Sequence, residues 1–153
     1  MFERHGVLSR AEINSRVDIV LENYCKVLHI EALTLIEMMN RQVIPAISEY
    51  TDRLCTALSH KRVLNINADE SADREIIARL SAAGSEIYKL TGDLKMAVSS
   101  AEKIADMLEK ATAYHDIVLK LMTDIRKYAD SSEAVVSMDV WPYPSYGELL
   151  FSI

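Results

Sequence analysis

With 153 residues, half of them apolar and only four glycines and three prolines, the chain has the size of one domain and a helical rather than an all-β composition. Its 23 acidic against 17 basic residues leave a formal net charge of −6, which disfavours nucleic-acid and anionic-membrane surfaces, because both need a basic stripe. No stretch approaches the roughly 20 apolar residues of a bilayer span, and the start, Met1-Phe-Glu-Arg-His-Gly6, lacks a signal-peptide layout, so the expected compartment is the cytoplasm.

Ser9-Arg-Ala-Glu12 is a capping box, in which hydroxyl and carboxylate each satisfy a free backbone N–H. Behind it Ile13, Val17, Val20, Tyr24, Val27, Leu28, Leu35, Met39, Val43, Ile47, Tyr50, Leu54 and Leu58 recur at steps of mostly three and four residues, which predicts a helix to about Arg62, about 75 Å if unbroken. Pro45 lacks a donor and crowds the Arg41 carbonyl, so a kink is expected there, and the β-branched stretch near His29 and Ile30 is a second candidate break. Cys25 and Cys55 would stand about 45 Å apart on one straight helix, so they read as free, small buried hydrophobes.

A loop is expected at Leu64–Asn67, with Asn67-Ala-Asp-Glu70 capping the next helix. From Ile76 a heptad runs for about fifty residues. One row is Leu80, Ile87, Leu94, Ala101, Leu108, His115, Met122 and Ala129; the other is Ile76, Ala83, Leu90, Ala97, Ile104, Ala111, Val118 and Ile125. A single helix of that length would overrun the first, so a turn is placed at the capping box Ser99-Ser-Ala-Glu102. Gly84 and Gly92 fall inside this pattern and are expected to allow close helix approach. The resulting fold class is all-α: an antiparallel bundle of three long helices, the first kinked near Pro45, over residues 1–136, followed by an extended Pro/aromatic tail over residues 137–153.

Chemistry is sparsely signalled. Metal sites in helical bundles pair His with Glu at helical spacing, and none of His5, His29, His60 or His115 has a Glu three residues before it. His115, in the heptad row, reads as a core-edge histidine bonded to a neighbour. The isolated glycines build no phosphate loop, and no nucleophile motif is present. No catalytic, cofactor-binding or metal residue is therefore assigned.

The tail is different. Two of the three prolines, the only tryptophan and two of the seven tyrosines crowd into Asp139–Ile153. An idle tail is normally polar, because nothing it buries offsets the entropy of ordering it. Trp141, Pro142, Tyr143, Pro144, Tyr146, Leu149, Leu150 and Phe151 are the candidate docking residues. Outward docking on a neighbouring domain or subunit is the favoured reading, since the helical core looks complete without them; folding back onto the end of the chain's own bundle is the competing one.

Two motif blocks carry a family resemblance. Leu21-Glu-Asn-Tyr-Cys-Lys26, Ile30-Glu-Ala-Leu-Thr34 and the helix interruption at Ile44-Pro-Ala46 form the first, and Trp141-Pro-Tyr-Pro-Ser-Tyr-Gly-Glu-Leu-Leu-Phe151 forms the second. Together with Glu3-Arg-His-Gly-Val-Leu8, they resemble the C-terminal part of the type III glutamine synthetases, while residues 65–135 match only as helical pattern. The resemblance implies a parent enzyme that ligates ammonia to glutamate, driven by ATP, with magnesium or manganese and two stacked hexameric rings. Its catalytic residues lie in upstream β-rich segments, so none is carried onto this chain. The implied partners are an upstream catalytic domain and neighbouring subunits, and the implied role is structural. A free-standing helical oligomerisation or adaptor module is the alternative.

Overall fold

The computed structural model describes residues 9–64, 69–144 and 149–150. Among them the helices α1 (Arg10–Met38), α2 (Ile44–Val63), α3 (Ser71–Glu102), α4 (Met107–Ala113) and α5 (Leu119–Glu133) form three long rods and no strand. The first rod is α1 joined to α2, the second is α3, and the third is α4 joined to α5. Each joined pair is continuous through a five-residue π-turn, at Met39–Val43 and Tyr114–Val118. Lys61 pairs with Asp73 at one end of the bundle and His29 meets Glu102 at the other, so α3 runs antiparallel to the first rod. His29–Tyr114 and Arg53–Asp139 contacts put the third rod parallel to the first.

The capping box forms as the sequence implies: Glu12 N–H donates to Ser9 Oγ at 3.3 Å, and Ser9 N–H donates to the Glu12 carboxylate at 2.7 Å. The interruption near Pro45 is a π-turn. Ile44 N–H donates to the Met39 carbonyl, five residues back, and Pro45 then falls in the first turn of α2, where a missing N–H is tolerated. No break occurs at His29 and Ile30. α1 is continuous through both for its 29 residues, because Leu28 and Ala32 on either side are buried in the core and hold the helix there.

The α2–α3 corner is closed by charge. Arg62 and Arg74 both clasp Glu70, at 2.8 Å each, and Asp69 Oδ1 accepts from the Ser71 N–H that opens α3. The expected loop residues Asn65 to Asn67, and the cap on Asn67, lie outside the described residues.

The turn between the second and third rods is later than the sequence suggested. α3 passes straight through Ser99 and ends at Glu102, and Asp106 caps α4 by accepting from Glu109 N–H at 2.9 Å. The Ser99 box is not used because Val98 and Ala101 are buried, and continuing the helix keeps them so.

The core is one cluster through all three rods, with Leu80, Ile87, Leu94, Val118 and Ile125 fully buried. Up to Ala101 the heptad rows sit as read. Beyond the turn one row slips by a residue at its next two places: Leu108 and His115 face solvent, while Met107 and Tyr114 take their inward places, and after the second π-turn Met122 and Ala129 sit as read. Gly84 lies over Ile47, whose Cγ2 would stand 3.5 Å from an added Cβ, an ordinary contact. Gly92 has nothing within 4 Å of such a Cβ, so close helix approach does not explain it.

Candidate docking surface

The third rod stops at Glu133, and two linked turns carry the chain back along it: Val136 N–H donates to the Ser132 carbonyl at 2.9 Å, and Trp141 N–H to the Ser137 carbonyl at 3.0 Å. Asp139 is then held between Ser137 Oγ–H and the Arg53 guanidinium, the latter at 2.6 Å. Those two donors, serine first, pull its carboxyl below the usual range, and the same ion pair with the bond to Glu49 raises Arg53.

From Asp139 opposite Arg53 the tail reaches Tyr143, whose hydroxyl donates to Gln42 in the first π-turn. Arg53 and Gln42 are about 16 Å apart along a helix, more than the at most about 14 Å that four residues reach, so the long Arg53 and Tyr143 side chains close the rest of the gap. The rings of Trp141 and Tyr143 meet edge to face at a centroid distance of 6.4 Å, and both pack on the core while staying half exposed. Burial pushes the Tyr143 phenol above its usual pKa. Trp141 Nε1 is enclosed with no acceptor among the described residues.

Of the eight candidate docking residues, Trp141 and Tyr143 pack, partly buried, on the chain's own bundle. The reason is local. The π-turn presents Gln42, and Arg53 anchors Asp139, so the strap is held at both ends. Pro142 and Pro144 face solvent. Leu149 and Leu150 are 62% and 72% exposed. Tyr146 and Phe151 lie outside the described residues.

A second polar feature, absent from the sequence reading, sits near the other end. Tyr114 is 2% exposed, and its hydroxyl lies 3.0 Å from His29 Nδ1, whose other ring nitrogen is 3.5 Å from Glu102. Burial raises the Tyr114 phenol, with the Glu102 charge adding to it, and burial likewise raises the Cys25 thiol. His115 bonds to its neighbour Asp116, at 2.8 Å, on the surface. The signal that could have found Tyr114 is the inward spacing Met107, Ala111, Tyr114, Val118, which competes with the row through His115.

Cys25 and Cys55 are both free, as expected, but Cys55 is exposed. It lines an open groove of about 610 Å³ between α2 and α3, whose walls include Ile47, Ser48, Thr51, Asp52, Gly84, Ser85 and Tyr88. The groove presents one carboxylate and no cationic side chain, so it does not suit a nucleotide's phosphates. Among the described residues no three His, Cys, Asp or Glu side chains come together, and these residues do not fit a divalent ion. Nor is any described helix long and apolar enough to cross a membrane.

Fold and surface define an all-α bundle bound by its own aromatic strap, with apolar side chains left over beyond its core. The family described as "Glutamine synthetase C-terminal domain" matches residues 1–62. The chain is 35% identical over its full length to a glutamine synthetase of Butyrivibrio fibrisolvens, covering 22% of that protein. It is 31% identical, over 95% of its length, to a glutamine synthetase of Bacteroides fragilis (strain YCH46), covering 21% of it. It is 26% identical, over 99% of its length, to the type-3 glutamine synthetase of Dictyostelium discoideum, again covering 21%. The chain thus spans about a fifth of the length of the curated relatives it matches. By these matches the chain is similar to the C-terminal region of glutamine synthetases, a type-3 enzyme included.

Proposed function

We propose that this chain is the architectural C-terminal module of a glutamine synthetase, bracing the catalytic part of a longer polypeptide and helping to build contacts between subunits. The parent reaction on this reading is the ATP-driven ligation of ammonia to glutamate, giving glutamine in the cytoplasm. ATP and magnesium or manganese would then be held by parts of the polypeptide other than this one. A homo-oligomer of two hexameric rings is the assembly to which the module would contribute.

The observation that carries this reading is the pair of exposed leucines beyond the strap. The core is closed through Val136, Trp141 and Tyr143, yet the chain goes on to present Leu149 and Leu150 to solvent. Adjacent large apolar side chains, exposed after the core is full, are suited to a protein surface supplied from elsewhere.

The test is the double substitution Leu149→Ser with Leu150→Ser in the longer polypeptide, followed by sedimentation and glutamine formation. A fall in assembled species of tenfold or more is expected, with activity falling in step. A fully assembled and fully active double variant would overturn the assignment of these leucines to docking.

A further inference from the structure

The first half of α1 carries a heptad seam that, apart from Tyr24, the described residues leave open. Ile13, Val17, Val20, Tyr24 and Val27 recur at alternating four- and three-residue steps on one side of the helix. Val17 and Val20 are 50% and 66% exposed on turns where no residue is buried, and Val27 is 53% exposed because the inward places at its level belong to Cys25 and Leu28. Beside the seam runs a trough of about 400 Å³ walled by Val20, Leu21 and Tyr24 of α1 and by Leu108, Ala111 and Thr112 of α4.

From Arg10 to Val20 every residue except Ile13 is exposed, so these turns project as a single helix. A lone helix of that length is marginal in water, and its N-terminus nevertheless has a complete capping box. A 3.5-residue apolar repeat is the surface that another helix packs against, side chain into hole, at a crossing near 20°.

We propose that this seam receives an amphipathic α-helix from the polypeptide that precedes this region in the glutamine synthetases. The proposal rests on the module reading above and names a second surface for it, separate from the tail. Two observations select that occupant. The matched relatives are about five times longer than this chain, so a large body of polypeptide is available to them outside this region. The eight residues before Ser9 span at most about 29 Å. Whatever precedes them is therefore tethered within reach of Val17 and Val20, at an effective concentration of order millimolar, which a second copy at micromolar concentration does not match.

Hydrogen exchange of the amides from Arg10 to Tyr24 tests this, compared between the 153-residue chain and the longer glutamine synthetase polypeptide. Exchange at least 100-fold slower in the longer protein is expected. Val17→Asp with Val20→Asp should abolish that slowing, and Val63→Asp, at the exposed end of α2, should leave it intact. Equally fast exchange in both proteins overturns the proposal. So does protection in the isolated chain that appears only at concentrations where sedimentation finds dimers, since the occupant is then a second copy. Deleting the whole region without loss of assembly would sink the bracing reading itself. An unprotected seam in an assembly that needs the region sinks this inference alone.

Discussion

Tyr114 is the largest fully buried side chain among the described residues and carries a hydroxyl into the core. A buried hydroxyl without a partner is unfavourable by about 1–3 kcal/mol, so the sequence could place tyrosine there only with an acceptor or donor to meet it, and His29 supplies one at 3.0 Å. The bond ties the middle of α1 to the start of the second π-turn, where backbone geometry is least regular. Tyr114→Phe keeps the ring and removes the bond. The expected loss of stability is about 1 kcal/mol by urea denaturation, most of which should disappear when His29→Leu is already present, because the phenylalanine then has nothing left unpaired to face. A loss unaffected by His29→Leu would show that the bond contributes nothing specific. Trp141 Nε1 is the opposite case, an enclosed donor with no acceptor among the described residues. It marks the strap as a less finished contact than the core behind it.

At the scale of elements, each π-turn does a different job. The first lets a proline stand inside a rod that would otherwise be straight, and it turns Gln42 toward the tail. A proline clashing within an ordinary helix is unfavourable by about 3 kcal/mol, so removing one should release that much. Here the wide turn has already relieved the clash, and Met39 and Val43, both buried, hold it in place. Pro45→Ala is therefore expected to change stability by less than about 1 kcal/mol in urea denaturation. A gain near 3 kcal/mol would mean that the proline, not the packing, maintains the turn. The sequence disclosed the rods, the capping box at Ser9 and the interruption near Pro45, because periodicity, cap chemistry and a missing donor are local properties. It did not disclose the slip that buries Tyr114 in place of His115. The slip is confined to α4, and the π-turn at Tyr114–Val118 absorbs it, so that Ala129 is buried as read; only the opposing helices decide such a local register. The turn after Glu102 was hidden for a related reason: Ser99 looked like a cap, but keeping Val98 and Ala101 buried outweighed it. The tail's aromatic character was plain, whereas its seat depended on Arg53 and Gln42, each about ninety residues or more away in sequence.

At the scale of the whole molecule, four carboxyls with lowered pKa stand where the rods are joined or ended. Glu12 sits at the start of α1, Asp69 and Glu70 at the α2–α3 corner, and Asp139 at the strap, and each carboxyl is held below its ordinary range by hydrogen bonds to the folded chain. Glu70 is the most displaced, from 4.5 to about 2, because Arg62 and then Arg74 bond to it. A group with a lowered folded pKa stabilises the fold above its unfolded pKa, and that contribution is lost as pH falls through the folded value. The thermal midpoint should therefore stay nearly level from neutral pH to about 5 and decline from there toward pH 2. The chain's overall charge also turns positive over this range, which loosens any acidic protein by self-repulsion, so the decline alone does not identify the corner. Glu70→Gln separates the two effects. It removes the titrating group while leaving the other acids, so the variant should start less stable at pH 7 and converge on the parent chain near pH 2. Added salt should shrink the gap, since the corner pairs are open to solvent. A gap that stays constant from pH 7 to pH 2 would show that Glu70 acts through packing rather than charge, and that the corner does not depend on its ion pairs.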